Sequence, residues 1–365
     1  MPSPRENGMW FVTDYGARGD GTTDDSAAIQ AAIDAAGATG GGVWFPTGTY
    51  ACAELRVPSH VGLFGAPTWS YLYDGGTTLM LNNGSAECLI DVTEAYGARL
   101  HGLALNGANL GSGVCAVHSG TRRAGKREDT FCIEHCRISR FTGDAIRLDP
   151  AFTFTLQKNM IIFNQGHGFA YSRWDGWIRD NIFNNNGGWG IYGRPWNGST
   201  TITGNRIEWN KKGGICLSRG ALHHICNNFI DRSGGPGIQL DGGAPEDRAY
   251  GRPLAHAITG NVIHRSGALV DPDSPESCHI LLDYQHGVTI TGNAMNTGRD
   301  DDPTHGQLSP SYGIVYGGLR DSVFANNTWP FGSTRAFLLD RGGNDETVLV
   351  RDNPGRLRGA EDWLV

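Results

Sequence analysis

One spacing recurs along most of this 365-residue chain. An Asn or Cys stands ten residues before an aliphatic or aromatic residue, and such pairs follow one another from residue 136 onward. This recurrence predicts one short supersecondary unit stacked many times, because a unit of this size cannot bury its apolar face alone. The pairs are Cys136 with Ile146, Asn159 with Phe169, Asn181 with Ile191, Asn205 with Ile215, Asn228 with Ile238 and Asn327 with Phe337.

The period of the repeat decides which kind of stacked fold it predicts. The first five pairs start 22 to 24 residues apart, and no interval holds an amphipathic pattern of helix length. Leucine-rich repeats share the period, but their Leu-x-x-Leu-x-Leu line is absent. Short alternating runs separated by Gly and Asn turns indicate strands instead. The sequence therefore predicts an all-β solenoid, a parallel β-helix that advances about 4.8 Å per coil.

Length and composition are consistent with one elongated domain spanning 1–365. We expect an N-terminal cap and first strand over 1–50 and regular coils over 100–355, because no Pro/Ser-rich linker interrupts the repeat. The 54 glycines suit a chain that turns sharply several times per coil.

The charge balance narrows the choice of partners. The formal net charge is −7, and only four of the 30 basic residues are lysines, so we expect no nucleic-acid partner. The first ten residues lack the apolar core of a signal peptide, and no apolar run reaches 18 residues, so no membrane partner is expected either. The localisation stays open between the cytoplasm and a processed secreted form.

Eight cysteines are present, at 52, 88, 115, 132, 136, 216, 226 and 278. They show no Cys-x-x-Cys and no Cys/His spacing of a metal site, so no metal ligands are predicted. We expect free, packed thiols, because a long core needs no disulfides for stability.

The N-terminal segment predicts one short amphipathic helix. Ile29 and Ile33 place apolar side chains on one face of the segment Ala27 to Ala36. Thr23 is the expected N-cap, with Asp24 and Asp25 in the first turn. A helix at this point can cover the open end of a solenoid, whose core is otherwise exposed.

Two stretches around this helix carry a resemblance to a known family. They are Asp14-Tyr-Gly-Ala-Arg-Gly-Asp-Gly-Thr-Thr-Asp-Asp25 before it and Gly40-Gly-Gly-Val-Trp-Phe-Pro-Thr-Gly-Thr-Tyr50 after it. With the coils, they resemble the pectate-lyase-like superfamily of right-handed parallel β-helix proteins, in particular its polygalacturonase-related branch. The resemblance implies a right-handed coil and a carbohydrate ligand. It does not choose among hydrolases, lyases, transglycosylases, epimerases and tailspikes, because fold alone does not determine function.

Aligning the coils on their apolar residue predicts one functional face. Asp144, His167 and Trp189 share a column two residues before the apolar position. Four long segments, 119–130, 242–256, 267–279 and 298–312, abut the strand that carries this column and are expected to form the walls of a cleft. Further outward positions of the face are Arg147, Tyr192, Asp149, Arg194, Asp241 and Asp283.

The motif Gly166-His167-Gly168 is compared with polygalacturonases, in which a Gly-His-Gly follows an acidic pair by one coil. Asp144 takes the place of the second acid, but Gly143 replaces the first, and no Arg-Ile-Lys follows. The mechanism implied by the resemblance therefore does not transfer intact, since an inverting hydrolase needs a second carboxylate. We predict Asp144, His167 and Asp149 as catalytic residues, with ordinary turn chemistry as the alternative reading of Gly-His-Gly.

A second carboxylate is available further along the face. Asp241 and Asp283 fall at equivalent positions of neighbouring coils and would supply an acid and a nucleophile at the ~5 Å separation of retaining enzymes. Each also ends a Leu-Asp turn, so a capping role is the alternative. A rival site on another face collects Glu208, Asp231 and His264 in one outward column.

Aromatic residues favour a sugar ligand. Six Trp and Tyr residues lie between 174 and 209, and flat ring faces pack well on sugar C–H surfaces. The predicted substrate-binding residues are Arg147, Trp189, Tyr192, Arg194 and Trp196.

These observations predict an enzyme that cleaves glycosidic bonds of a poly- or oligosaccharide, as a hydrolase or an intramolecular transglycosylase resembling the inulin fructotransferases. The alternatives are a polysaccharide lyase acting by β-elimination and a glycan-binding protein without turnover. No cofactor is expected, although lyases of the superfamily often use Ca²⁺ to neutralise a uronate. The resemblance also implies a possible homotrimer, since such solenoids often associate side by side.

Overall fold

The computed structural model describes residues 3–5, 8–120, 128–244, 246, 253–299 and 306–358. The chain separates into two compact units, Met1–Ile182 and Phe183–Val365, which are called unit 1 and unit 2. Strands are the main regular structure of both, and Ser26–Gly37 is the only α-helix among the described residues. The predicted all-β parallel solenoid is confirmed.

Unit 1 contains three parallel sheets, 1A, 1B and 1C, to which each coil contributes one strand in turn. A short 3-10 helix, Val12–Tyr15, follows the first strand. The strands of sheet 1A are Met9–Phe11, Gly41–Trp44, Val61–Phe64, Arg99–His101, Phe131–Glu134, Phe154–Gln157 and Gly176–Arg179. Those of sheet 1B are Asp20–Asp24, Gly48–Cys52, Thr77–Leu81, Ala104–Asn106, Arg137–Ser139 and Met160–Ile162. Those of sheet 1C are Leu55–Arg56, Cys88–Asp91, Cys115–Ser119, Ile146–Leu148 and Phe169–Trp174.

Unit 2 repeats the arrangement with sheets 2A, 2B and 2C, and the strand Ile182–Asn184 contains the boundary between the units. Sheet 2A consists of Thr201–Thr203, His224–Cys226, Leu254–Thr259, His286–Thr291, Val323–Ala325 and Leu349–Arg351. Sheet 2B consists of Arg206–Glu208, Phe229–Asp231, Val262–His264 and Ala294–Asn296. Sheet 2C consists of Trp189–Gly198, Gly213–Ser218, Ile238–Asp241, Cys278–Asp283, Tyr312–Gly317 and Ala336–Asp340, and a separate pair joins Trp329–Pro330 to Gly355–Arg356.

The ten-residue offset marks the register of the coils. Within unit 1, Ile146 pairs with Phe169, and within unit 2, Ile191 pairs with Ile215. All four side chains are fully buried. Residues one position further along each strand therefore point outward, because side chains alternate across a strand.

Asparagine side chains join successive coils at one turn. The amide oxygen of Asn159 accepts the backbone N–H of Cys136 at 2.9 Å, and Asn181 does the same for Asn159 at 3.0 Å. Cys136 thus occupies the ladder position, as predicted. In unit 2 the ladder runs through Asn205, Asn228, Asn261, Asn293, Asn327 and Asn353. Since these groups are mostly buried, the ladder satisfies backbone donors that water cannot reach.

The residue before each ladder Asn adopts the left-handed backbone conformation. Lys158 has a φ of 54° and Asn227 a φ of 56°, and glycine takes this position at Gly204, Gly260 and Gly292. Glycine enters this region without steric cost, whereas other residues need compensation from their surroundings. The turn is therefore repeated in geometry even where its sequence differs.

The helix lies where it was predicted, but its N-cap does not. Thr23 lies in the strand Asp20–Asp24, and the helix begins at Ser26 with Asp25 as the N-cap residue. The Asp25 carboxylate accepts the backbone N–H groups of Arg18 and Gly19 at 2.7 and 3.0 Å. The prediction of Thr23 was wrong because Thr23 belongs to a strand whose pairing continues to Asp24, so the helix begins after it.

All eight cysteines are free, and seven of them are buried, as expected. Burial raises the pKa of the Cys136 thiol to about 12 and that of Cys115 to about 11. These thiols are therefore packing residues at neutral pH. Among the described residues, no helix is long and apolar enough to cross a membrane.

Candidate functional site

The outward face of sheet 1C carries an acid, a histidine and an arginine in register. Asp91 pairs with His118, and His118 pairs with Arg147. Neighbouring Cα atoms in such a ladder are about 5 Å apart, so the imidazole and the guanidinium lie side by side on one face. Each has its own carboxylate, since His118 Nε2 is 3.6 Å from Glu87 Oε1 and Arg147 Nη2 is 3.0 Å from Asp144 Oδ2.

Asp144 is buried and is fixed on two sides. Its Oδ2 accepts a hydrogen bond from Arg147 Nε at 3.0 Å, and its Oδ1 accepts the backbone N–H of His167 at 2.9 Å. Asp144 is therefore bonded to the backbone of His167. Asp144 orients the guanidinium and holds the turn that presents the half-buried His167 ring.

The glycines around these residues allow the coils to approach closely. A methyl group at Gly166 would overlap the Gly143–Asp144 peptide, and one at Gly143 would overlap the Gly113 carbonyl. Gly143 and Gly166 thus have a structural reason that is independent of catalysis.

Asp149 lies at the carboxyl end of a sheet 1C strand. Its backbone N–H donates to the Ser119 carbonyl at 2.9 Å, and its carboxylate accepts a hydrogen bond from the Ser172 hydroxyl in the next coil. Asp91 ends its strand in a similar way and accepts the Thr93 N–H at 2.8 Å. These carboxylates stabilise turns at the rim of the face.

Sheet 2C holds the predicted residues that belong to unit 2. The half-buried Trp189 ring lies flat against Gly213, where a methyl group would overlap it. Tyr192 points outward in register with Cys216. Trp196 is 45% exposed, and the Arg219 guanidinium stands 4.1 Å from its ring centroid. The Arg194 carbonyl accepts the Asn197 amide at 2.7 Å.

Asp241 and Asp283 follow paired residues of neighbouring strands, since Leu240 pairs with Leu282. The Asp241 carboxylate accepts the Ser218 hydroxyl at 2.9 Å and the Gly243 N–H at 2.9 Å. Asp340 accepts the Gly342 N–H in the same way. This shared geometry supports the capping role of Asp241 over an acid or nucleophile role.

The rival column of Glu208, Asp231 and His264 lies in register on sheet 2B. Both carboxylates are buried and engaged by arginines. Arg206 contacts Glu208 through two nitrogens at 2.6 and 2.9 Å, while Arg265 contacts both oxygens of Asp231. Burial lowers the pKa of His264 although Asp231 opposes the shift. Carboxylates that are neutralised in this way serve an ion network better than proton transfer.

The four long segments are described in part. The segment 119–130 follows the strand Cys115–Ser119, and 242–256 follows Ile238–Asp241. The segments 267–279 and 298–312 precede the strands Cys278–Asp283 and Tyr312–Gly317. Residues 121–127, 245, 247–252 and 300–305 lie outside the described residues, so the predicted cleft walls stay a prediction.

A groove of about 760 Å³ lies beside the first coils of unit 1. Asp91 and Thr93 form its boundary with the sheet 1C face. Its other charged lining residues are Asp34, Glu54, Glu94 and Arg56, so acidic groups predominate. The groove is therefore a negatively charged neighbour of the sheet 1C face.

His118 was missed by the coil alignment. Ala104 pairs with Arg137, so Leu103 takes the ladder position that Cys136 has in the next coil. A longer turn then separates Leu103 from Val117, which removes the ten-residue offset. The signal that remains is the pattern Val117-His118-Ser119, a single polar ring between small or apolar residues.

The residues are not arranged as a metal site. Within the described ranges, no group of three or more His, Cys, Asp or Glu side chains could hold a metal ion. On sheet 1C the positive charge beside His118 is instead the Arg147 guanidinium.

Parallel coils of this kind, with a polar face on one sheet, define a right-handed β-helix of pectate-lyase type. A family model described as rhamnogalacturonase A/epimerase, pectate lyase-like matches residues 10–216, and a right-handed β-helix region matches residues 189–354. The chain belongs to the rhamnogalacturonase A/epimerase, pectate lyase-like family. The resemblance inferred from the sequence is thereby confirmed.

The chain is also similar to proteins that modify polysaccharides. It is 59% identical over 49 residues to mannuronan C5-epimerase AlgE1 of Azotobacter vinelandii, a match covering 13% of this chain and 4% of the relative. It is 40% identical over 100 residues to alginate lyase 7 of the same organism, covering 25% and 11%. The matched segments are thus a small part of these curated relatives.

A solved structure resembles the whole fold. The A-module of mannuronan C5-epimerase AlgE6 of Azotobacter vinelandii superimposes with a TM-score of 0.67 at 21% identity, covering 96% of this chain and 100% of that chain. At this identity the likeness shows the fold alone.

Proposed function

We propose that this protein is a uronan-modifying enzyme that removes the proton at C5 of a uronate residue, as an epimerase or a β-eliminating lyase. The observation that carries the proposal is the register of His118 and Arg147 on the outward face of sheet 1C. Two relatives whose names state epimerisation or lysis of uronans support the same chemistry.

The reaction requires two groups with different tasks. A cation must stabilise the negative charge that builds on the uronate carboxylate as C5 loses its proton, and a base must accept that proton. Arg147 fits the first task, because Asp144 fixes its Nε and Nη2 and its Nη1 donors remain for a ligand carboxylate. His118 fits the second, with His167 as a further candidate acid or base, since the ring nitrogens of imidazole can accept and donate a proton.

The subsequent step decides the product. If the bond between C4 and its oxygen breaks, the electron pair from C5–H forms the C4–C5 double bond, and the leaving oxygen takes a proton from an enzyme acid or from water. The products are an unsaturated uronate and a new chain end that carries a hydroxyl group. If a proton returns to C5 from the opposite face, the product is the epimer. In both cases the proton removed resides on the enzyme base or passes to water.

The same face supports hydrolysis less well. A hydrolase needs one protonated carboxyl as the acid and another as base or nucleophile. Asp144 bonds to Arg147 and a backbone N–H, Asp149 to a hydroxyl, and Asp91 to a backbone N–H. Each of these carboxylates is thus engaged in a contact that holds a side chain or a turn in place. Glycosidase and transglycosylase activity therefore rank behind proton abstraction.

The test incubates the purified protein with polymannuronate in D₂O. Proton abstraction predicts loss of the C5–H signal by NMR, and a lyase also predicts ultraviolet absorbance of an unsaturated sugar. New reducing ends without that absorbance would show hydrolysis and contradict the proposal. Unchanged polymer that still binds the protein would show a binding function instead.

Two expectations from the sequence can be tested in the same assay. If Ca²⁺ assists, a chelator lowers the rate, whereas Arg147 alone as the carboxylate partner predicts no effect. A homotrimer stays a prediction, and light scattering of the same sample measures it.

A further inference from the structure

Sheet 1A has an outward face that none of the preceding arguments uses. Two columns of side chains run along it in register, and successive members are about 5 Å apart. The first column is Met9, Gly42, Gly62, Arg99, Cys132, Thr155 and Trp177, and the second is Phe11, Trp44, Phe64, His101, Glu134, Gln157 and Arg179. We call this surface the 1A face.

One half of the 1A face is a row of rings. Phe11 and Trp44 have ring centroids 6.4 Å apart, and Phe64 and His101 have centroids 6.2 Å apart. All four side chains are half-buried, so each still presents part of its ring to solvent. A single file of rings on a rigid sheet offers apolar surface one residue wide over four coils.

Two glycines leave space for neighbouring side chains to pack flat against the sheet. A methyl group at Gly42 would overlap the Met9 thioether, and one at Gly62 would overlap the Phe64 ring. The Phe64 ring therefore covers Gly62 instead of standing upright. The result is a flat platform rather than a ridge.

The other half of the 1A face is polar and planar. Arg99 contacts the buried Glu134 carboxylate, and Gln157 donates to the same carboxylate at 2.5 Å. Arg179 donates to the Gln157 amide oxygen at 2.8 Å. Trp177, 44% exposed, precedes Arg179 by two residues and lies on the same outward side. Glu134 thus has its charge offset by Arg99, while Arg179 adds a positive charge near an exposed ring.

We propose that the 1A face binds a polysaccharide chain laid along the file of coils in unit 1, separate from the chemistry on sheet 1C. Sugar rings stack on Trp44 and Phe64 through their C–H surfaces, and hydroxyl and carboxylate groups meet Gln157 and Arg179. The acidic identity of the sugar rests on the proposed function, whereas the stacking does not.

A glycan fits this surface better than a protein partner. The core of a protein interface is depleted of charged residues and is several side chains wide. The 1A face places charged and aromatic residues in one column and is only two columns wide. A polysaccharide presents a sugar ring with a polar edge at every residue, and this matches the pattern of the 1A face.

The test compares the double variant Trp44→Ala/Phe64→Ala with Tyr73→Ala, which removes a 73% exposed ring elsewhere in unit 1. Affinity for long polymannuronate and for a neutral glucan is measured by retardation in gels containing each polymer. We expect the double variant to lose about tenfold or more in affinity for polymannuronate, and the control to bind as wild type. Turnover of a tetrasaccharide should stay unchanged.

A second variant keeps the test informative if the first double variant does not fold. Trp177→Ala/Arg179→Gln changes two exposed side chains at the polar end, and it should weaken binding of the acidic polymer more than of the glucan. Binding is read without turnover, so a protein that is inactive on uronans can still confirm the 1A face. Unchanged affinity in both double variants would overturn the proposal. So would a change of oligomeric state, which would assign the face to a second copy of the chain.

Discussion

The described histidines of unit 1 all lie on the outer side of the coil wall, whereas three of those in unit 2 lie inside it. In unit 1 all five, at 60, 101, 118, 135 and 167, are at least partly exposed. In unit 2, His223, His256 and His279 are buried. One coil design therefore uses the same side chain outside for contact with ligands and inside for packing. Position relative to the wall, rather than residue type, indicates which histidines can perform chemistry.

The buried histidines of unit 2 are neutral. His223 and His256 stack with ring centroids 5.3 Å apart and planes within 15°, and none of their ring nitrogens has a hydrogen-bond partner. Burial lowers the pKa of His256 to about 4, that of His279 to about 3 and that of His223 well below its usual value. A proton on any of them would be costly because the charge would be buried in the coil interior.

The largest expected effect tests the outward histidines. We expect Arg147→Ala and His118→Ala each to lower turnover of polymannuronate by at least about a hundredfold with the fold intact. His167→Ala and Asp144→Asn should lower it by a similar factor, whereas Trp189→Ala should act mainly on KM.

The matched changes in unit 2 are Glu208→Gln and Asp231→Asn. Both are expected to lower stability and to leave kcat almost unchanged, because Asp231→Asn leaves the buried Arg232 without its carboxylate and Glu208→Gln removes a buried carboxylate from its ion pair with Arg206. If Asp231→Asn abolishes turnover while His118 and His167 variants are fully active, the site belongs to sheet 2B.

The next effect tests the inward histidines. A histidine whose pKa is lowered in the folded state binds a proton more readily in the unfolded chain. Its contribution to stability is therefore complete above pH 6.5 and is lost as the pH falls from 6.5 towards 4. For His256 alone this amounts to about 3 kcal/mol. Hydrogen exchange at pH 7.5 and 5 should show a larger loss of protection in unit 2 than in unit 1. His256→Gln should reduce that difference, and equal losses in the two units would contradict the assignment.

A smaller effect compares the asparagine ladder in both units. Asn181→Ala and Asn261→Ala each leave a backbone donor of the adjacent coil without its acceptor. We expect each to cost about 1–3 kcal/mol in the free energy of unfolding, without loss of kcat. Chemical denaturation measures the cost, and Asn83→Ala in an exposed turn is the control. Unchanged melting together with lost turnover would show a catalytic role instead.

The smallest effect concerns an exposed histidine of unit 2. His286 Nε2 is 2.6 Å from Asp321 Oδ2, and both side chains are about half exposed. Because exposed ion pairs contribute little, Asp321→Asn should change the free energy of unfolding by no more than about 0.5 kcal/mol. A large loss of stability would mean that solvent exposure does not distinguish the outward histidines from the inward ones in their contribution to folding.

The fold was predictable because its periodic signals are local. Ladder asparagines, buried aliphatics and left-handed turn residues recur at fixed offsets, so the register of Ile146 with Phe169 could be read directly from the sequence. The N-cap could not, because Asp25 is used by Arg18 and Gly19 of a turn on its other side. Such competition depends on contacts that spacing does not record.

The site was predictable only in part. Asp144, Arg147 and His167 were found because their coils keep the offset, and the structure joins Asp144 to both others. His118 was missed because Leu103 replaces the ladder residue and a longer turn shifts the strand. The partners of Asp241 could not be predicted either, since a carboxylate that caps a turn and one that transfers protons have the same sequence signal.

The asparagine ladder has a consequence for how such a chain changes length. The ladder bonds of each rung reach only the coils next to it, so these contacts do not depend on how many further coils precede or follow. If one whole coil were removed or duplicated, the backbone donors of the neighbouring coils would meet equivalent asparagine acceptors. In a closed barrel, by contrast, the loss of one strand breaks the ring of paired strands. Length is therefore a variable that evolution can adjust in steps of one coil, with the reach of the ligand-binding surfaces following in the same steps.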